Sequence, residues 1–336
     1  MITRTEKIRQ TPFWQRELAQ SIQNIDELLD YVHLDRGSLP VSDAACEQFS
    51  LRIPKGYADR IKKSDTNDPL LRQILPLQAE MQSVPGYGPD PVGDQQSIVA
   101  QGLLQKYHGR ALMMTTAACA VHCRYCFRRH FPYNDCRASE DDWSDSLSYL
   151  RNNTDIHELI LSGGDPLTLN DIRLSRLVRH IEAIPHIKTL RIHSRIPVVL
   201  PSRICAALLE WIQKSRLQVV MVIHCNHAQE IDISVENALQ SLKNIGVTLL
   251  NQSVLLAGIN DTVDDLEALS ERLFSTGVLP YYLHLLDPVA GAAHFDTDQE
   301  VAKTLLLTLQ TRLPGYLVPR LVREMAGNAS KTPVFA

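Results

Sequence analysis

The chain has 336 residues, 44% hydrophobic and 21% charged, a globular composition with room for one large domain or two modest ones. Its 34 Lys and Arg against 38 Asp and Glu leave a net charge of -4, which removes the electrostatic case for a nucleic acid or an anionic membrane as partner. The N-terminal MITRTEKIRQTPFWQREL is polar, and no run approaches the roughly 20 apolar residues of a membrane span, so the expected location is the cytosol.

Residues 1–100 read as a helical extension without a strand pattern, with FWQRELAQSIQNIDELLDYV helical and the loop VPGYGPDPVGD rich in Gly, Pro and Asp. From residue 110 apolar runs recur: RALMMTT, HELILSG, KTLRIHS, LQVVMVIH, VTLLNQSVLL and LPYYLHLL. Between them lie the amphipathic stretches SEDDWSDSLSYLRNN, NDIRLSRLVRHIEAI, SRICAALLEWIQKS, ISVENALQSLKNIG and DTVDDLEALSERLFSTG. This alternation predicts parallel βα units, and six of them suit a partial, open TIM-like barrel better than a closed eightfold one. The helix DQEVAKTLLLTLQTRL and the apolar run YLVPRLVREM close the chain. The expected division is an extension over 1–100, a barrel core over 101–316, and a C-terminal strand and loop over 317–336.

In parallel α/β folds the strand carboxyl ends share one mouth. Cys119 follows the first predicted strand, Gly163, Gly164 and Asp165 the second, His193 and Arg195 the third. His224, Gln252 and Asp287 follow the fourth, fifth and sixth.

Seven cysteines without a secretion signal point to free thiols or metal ligands rather than a disulfide framework. Cys119, Cys123 and Cys126 fall within eight residues of CAVHCRYC. The residues alone leave three readings open: a redox dithiol of Cys123 and Cys126, structural zinc with His122 as fourth ligand, or a four-iron cluster with one iron free for an outside ligand. Cys46, Cys136, Cys205 and Cys225 fit no ligand spacing and read as packing or incidental thiols.

CxxxCxxC after the first strand of such a barrel resembles the signature of the radical S-adenosylmethionine enzymes. That resemblance implies a [4Fe-4S] cluster on Cys119, Cys123 and Cys126, whose open iron chelates S-adenosylmethionine. SGGDPL, residues 162–167, resembles the family's glycine loop, which implies that Gly163, Gly164 and Asp165 lie against that cofactor. RYCFRRHF, LSGGDPL, RIHSRIPVVLP, HCNHAQEI, NQSVLLAGIND, YYLHLLDPVAGAAHF and SKTPV together resemble the lysine 2,3-aminomutase family, from about residue 68 to the C-terminus.

This second resemblance implies pyridoxal 5'-phosphate held as a Schiff base by Lys331, with Arg110 and Lys106 near its phosphate. It implies Arg128 on the substrate carboxylate, Asp287 and Glu324 on the side-chain ammonium of L-lysine, and His224 and Gln252 near S-adenosylmethionine. In the family's chemistry a 5'-deoxyadenosyl radical removes the β-hydrogen, the amino group migrates while joined to pyridoxal phosphate, and the hydrogen is returned, so S-adenosylmethionine is regenerated.

Four features depart from the family pattern: AGNAS replaces a glycine-rich stretch before Lys331, Glu324 stands where an aspartate is expected, His284 stands where an aromatic is expected, and the chain ends five residues after Lys331. Such a short form resembles the branch that supplies (R)-β-lysine for attachment by a ligase to translation elongation factor P, and implies a monomer or dimer. Two other readings are a radical aminomutase for another amino acid, which the acids Asp287 and Glu324 argue against, and a non-catalytic metal-bound scaffold.

Overall fold

The computed structural model describes residues 11–133 and 143–335. The polar N-terminal ten residues, Cys136 and residues 139–142 of the SEDDWSDSLSYLRNN stretch lie outside them.

One ten-stranded sheet runs in chain order: β1 (Ile98–Ala100), β2 (Leu103–Tyr107), β3 (Arg110–Thr116), β4 (Glu158–Gly163), β5 (Thr189–Ser194), β6 (Gln218–Ile223), β7 (Thr248–Val254), β8 (Leu279–His284), β9 (Arg320–Arg323) and β10 (Thr332–Pro333). Neighbours from β3 to β9 pair parallel, whereas β1, β2 and β10 pair antiparallel at the two edges. The edges do not meet, so the sheet is an open, partial barrel.

The six predicted strands are β3–β8, and β9 adds a seventh parallel member. Two strands precede the expected start. β1, β2 and β3 form a meander through the two-residue turns Gln101-Gly102 and His108-Gly109, the short connection typical of hairpins. Arg110 is the first residue of β3.

The crossover helices form for local reasons. Asn170 caps Asp171–Glu182 by accepting from Arg173 N, and Leu174, Leu177, Val178 and Ile181 make one buried face at helical spacing. Asp232 and Thr262 cap Ile233–Asn244 and Val263–Ser275 in the same way.

FWQRELAQSIQNIDELLDYV is broken into Phe13–Ala19 and Ile25–Tyr31, because Ile22 leaves the helix to bridge Ile53 and Asn24 caps the second helix through Glu27 N. The extension has no core of its own: Trp14, Leu28, Tyr57, Leu70 and Ile74 bury in one cluster with Leu161, Ile192 and Met221 of the barrel strands. It therefore forms a wall of the barrel, and this brings Tyr57 and Gln73 beneath the site. Among the described residues no helix is long and apolar enough to cross a membrane.

Candidate active site

A cavity of about 1090 Å³ opens at the carboxyl ends of the parallel strands. Cys119, Cys123 and Cys126 line it together with Arg128, Asp287, Glu324 and Lys331, and so do Gly163, Gly164, Asp165, His224, Gln252, Lys106 and Arg110. Residues spread over more than two hundred positions thus share one space.

The loop carrying the cysteines is pinned to the extension. Buried Glu80 accepts from Arg124 at 2.6 Å and from Arg129 at 2.7 Å, and Arg124 also donates to the carbonyl of Ala45 at 3.0 Å. All six described cysteines are free. Burial and then the neighbouring thiols push Cys119 up well above its ordinary value, and push Cys126 to about 11. Cys119 and Cys126 are thus poorly placed to carry charge on their own, and a cationic centre would be needed to hold them as thiolates.

Among the described residues no group of three or more His, Cys, Asp or Glu side chains is arranged around a single metal ion. A four-iron cube, bridged by its own sulfides, spreads its cysteines more widely than one ion does. His122 Nδ1 sits 2.7 Å from the Ser50 carbonyl, and its ring stacks on Phe49.

Gly163 and Gly164 have a structural reason to be glycine that the resemblance did not give. A Cβ on Gly163, where φ is +123°, would meet the Thr116 carbonyl oxygen at 2.5 Å, and one on Gly164 would meet that of Ala118 at 2.4 Å. The end of β4 is packed against the root of the cysteine loop, so these glycines close that joint. Asp165, expected at the cofactor, has both oxygens occupied within the chain. Oδ1 accepts from Leu167 N and Ser194 Oγ, and Oδ2 from Arg195 N and Ile196 N. It ties the loop after β4 to the loop after β5 and acts on the cavity through position.

From the cysteine loop a chain of alternating charges runs along the cavity. Arg128 Nε donates to Asp94 Oδ2 at 2.6 Å and its Nη1 to Ser162 Oγ at 3.1 Å. Lys106 lies 2.7 Å from Asp94 and 3.5 Å from Glu324, which also accepts from Tyr107 Oη at 2.6 Å and Lys331 Nζ at 2.9 Å. Lys331 reaches Glu324 because β10 turns back along β9 with Thr332 opposite Arg323, so the preceding lysine falls beside the following glutamate.

Burial alone would raise both acids, but Arg128 and Lys106 hold Asp94 below its ordinary value, and Lys331, Tyr107 and Lys106 do the same for Glu324. Asp287 lacks such a partner. Burial lifts it to about 7, and its Oδ1 has no hydrogen bond.

Three histidines complete the wall. His284 is buried and His193 and His224 are half-buried, each with a buried, unpartnered Nε2, and desolvation keeps all three below the ordinary imidazole value, His224 at about 4. His284 meets Tyr282 edge-on at 5.6 Å, and Lys331 Nζ lies 5.6 Å from the same ring. Buried polar groups left without partners carry a penalty of about 1–3 kcal/mol each, so this wall is built to receive polar ligands.

Residues 108–194 match a family model described as a 4Fe-4S single cluster domain. A protein named L-lysine 2,3-aminomutase from Escherichia coli (strain K12) is 47% identical over 322 residues, 96% of this chain and 94% of that one. Its namesake from Haemophilus influenzae is 44% identical over 325 residues, 97% of this chain and 96% of that one. Another from Clostridium subterminale is 32% identical over 322 residues, 96% of this chain and 77% of that one. This chain belongs to the lysine 2,3-aminomutase family.

As a lysine 2,3-aminomutase family member it is of the radical S-adenosylmethionine type, and the match covers the extension as well. Sequence reasoning missed Asp94, Tyr107 and Glu230, which hold Arg128, Glu324 and Arg195 in place. Asp94 closes the loop VPGYGPDPVGD, which also holds Asp90, and nothing in the spacing picks out one of the two.

Proposed function

We propose that the protein is an L-lysine 2,3-aminomutase that moves the α-amino group of L-lysine to the β-carbon and so makes (R)-β-lysine. The hydrogen and the amino group exchange carbons, with no net oxidation. One observation carries this: a single cavity sets three free thiols against Lys331, Arg128 and the acids Glu324 and Asp287. The named relatives support it.

Cys119, Cys123 and Cys126 would hold the [4Fe-4S] cluster, with the backbone at Gly163 and Gly164, His224 and Gln252 around S-adenosylmethionine. Lys331 would bind pyridoxal 5'-phosphate, with Arg110 toward the phosphate; Lys106 is already engaged by Asp94. When bound, these groups supply a one-electron hydrogen abstraction and a π bond across which nitrogen migrates.

The chain's residues supply placement. Arg128, held at Nε by Asp94, offers its remaining N–H groups to a carboxylate, a task suited to a planar fork of donors. Asp287 and Glu324 offer two carboxylates to the far ammonium, which selects a cationic amino acid. Asp165 keeps the loops after β4 and β5 in register. The free cysteines fit a reducing, cytoplasmic setting. A supply of β-lysine for elongation factor P and its ligase, with no direct contact required, rests on the motif resemblance.

The test is anaerobic turnover of L-lysine with cluster, reductant, S-adenosylmethionine and pyridoxal phosphate, beside Lys331→Ala. β-Lysine from the native chain alone is the expected result. Cleaved S-adenosylmethionine without β-lysine would move the substrate to another amino acid.

A further inference from the structure

Arg195, the first residue past β5, is 5% exposed and belongs to none of the roles above. Its Nη1 lies against Cys123 Sγ at 2.6 Å. Its Nη2 donates to Gln73 Oε1 at 2.7 Å, Glu230 Oε2 at 2.9 Å and Tyr57 Oη at 3.4 Å, while Nε is buried without a partner. The rings of Tyr57 and Tyr125 each lie 5.6 Å from the guanidinium carbon. Glu230 is fixed in turn by Asn226 N at 2.8 Å, His227 N at 3.1 Å and Gln73 Nε2 at 3.2 Å. This is a rigid buried cation touching one of three cysteines, with its counter-ion on the side away from the sulfur.

We infer that Arg195 is a positioning residue that fixes Cys123 and raises the reduction potential of the cluster this cysteine would hold, with Glu230 setting how much of the positive charge the cluster feels. Reduction adds one electron to an already anionic centre. A hydrogen-bonded cation at a ligand sulfur favours the reduced form, and hydrogen bonds and net charge around the sulfurs are among the levers that set such potentials. Burial keeps the charge from being screened by water. The extension takes part, because Tyr57 and Gln73 clamp the guanidinium from below. The inference rests on the cluster reading proposed above.

The test is an electron paramagnetic resonance redox titration of the reconstituted full chain, without S-adenosylmethionine, pyridoxal phosphate or lysine, using dithionite-poised mediators. At the native midpoint, Arg195→Gln is expected to lower the reduced-to-oxidised ratio about tenfold, equal to about 59 mV for one electron. Arg195→Lys keeps the charge and stays within about threefold. Glu230→Gln shifts the ratio the other way, and the double variant R195Q/E230Q, which avoids a lone buried charge, falls between the two.

Iron per chain is measured for each. A purely structural role would lower iron in all of them without shifts of opposite sign. Shifts of the same sign, or none beyond threefold, overturn the inference. A native chain that takes up no iron and sulfide overturns the cluster reading itself, and this one with it.

Discussion

Lys331 Nζ lies 2.9 Å from Glu324 Oε2, so the lysine proposed to carry pyridoxal phosphate and the acid proposed to bind the substrate ammonium are ion-paired to each other. A substrate ammonium at Glu324 would therefore share this carboxylate with Lys331. Glu324→Gln keeps the shape and loses the charge. A charge-assisted hydrogen bond is worth about 1.5–3 kcal/mol, so KM for lysine is expected to rise by about tenfold or more with S-adenosylmethionine cleavage still possible. Steady-state kinetics check this; an unchanged KM would place the ammonium elsewhere.

Asp287 gives a pH dependence. Burial lifts its carboxyl from an ordinary 3.8 to about 7, so the folded, ligand-free chain keeps a proton that the unfolded chain gives up. That contribution to stability is whole below about 3.8 and lost as pH rises through about 7. Relative to Asp287→Asn, the native chain should lose up to about 4 kcal/mol across this window, at about 1.36 kcal/mol per unit. Denaturant unfolding at several pH values reads the difference. A cationic tail beside Asp287 favours its charged form, so lysine binding at pH 6 should release a proton, seen as buffer-dependent heat in calorimetry.

Gly164→Ala would drive a Cβ to within 2.4 Å of the Ala118 carbonyl, and backbone cannot swing aside as a long side chain can. Overpacking of this kind destabilises by about 1–3 kcal/mol. Here the strain lands one residue before Cys119. We expect a lower unfolding midpoint together with fewer irons per chain after reconstitution. A variant with full iron content and native stability would mean that the joint between β4 and the cysteine loop is looser than described.

Asp94→Asn leaves Arg128 and Lys106 facing one another with no carboxylate between them. Removing one partner of a buried pair destabilises by about 3–5 kcal/mol. Because Asp94 also aims Arg128, two residues past Cys126, kcat/KM for lysine should fall by more than any loss of cluster content. Iron analysis beside kinetics separates the two effects.

Much of this was legible in one dimension. Period-2 and period-3.6 apolar runs located β3–β8 and the helices between them, since each buries one face against its neighbour. β1 and β2 escaped because a short meander at a sheet edge has little buried surface to write into a pattern. The break in the first helical stretch escaped for a related reason: Ile22 leaves the helix to bridge Ile53, a residue thirty-one positions away.

The site divides along the same line. Cys119, Cys123 and Cys126, SGGDPL and SKTPV are local spacings, so the sequence by itself determined the family, the chemistry its residue types suit, and the strand ends where they collect. Only the tertiary structure decided what holds those residues. Asp94 under Arg128, Glu230 and Gln73 around Arg195, and Glu324 against Lys331 are contacts between distant segments. Buried charges take whichever partner the packing brings within hydrogen-bond reach, and no spacing along the chain encodes that choice.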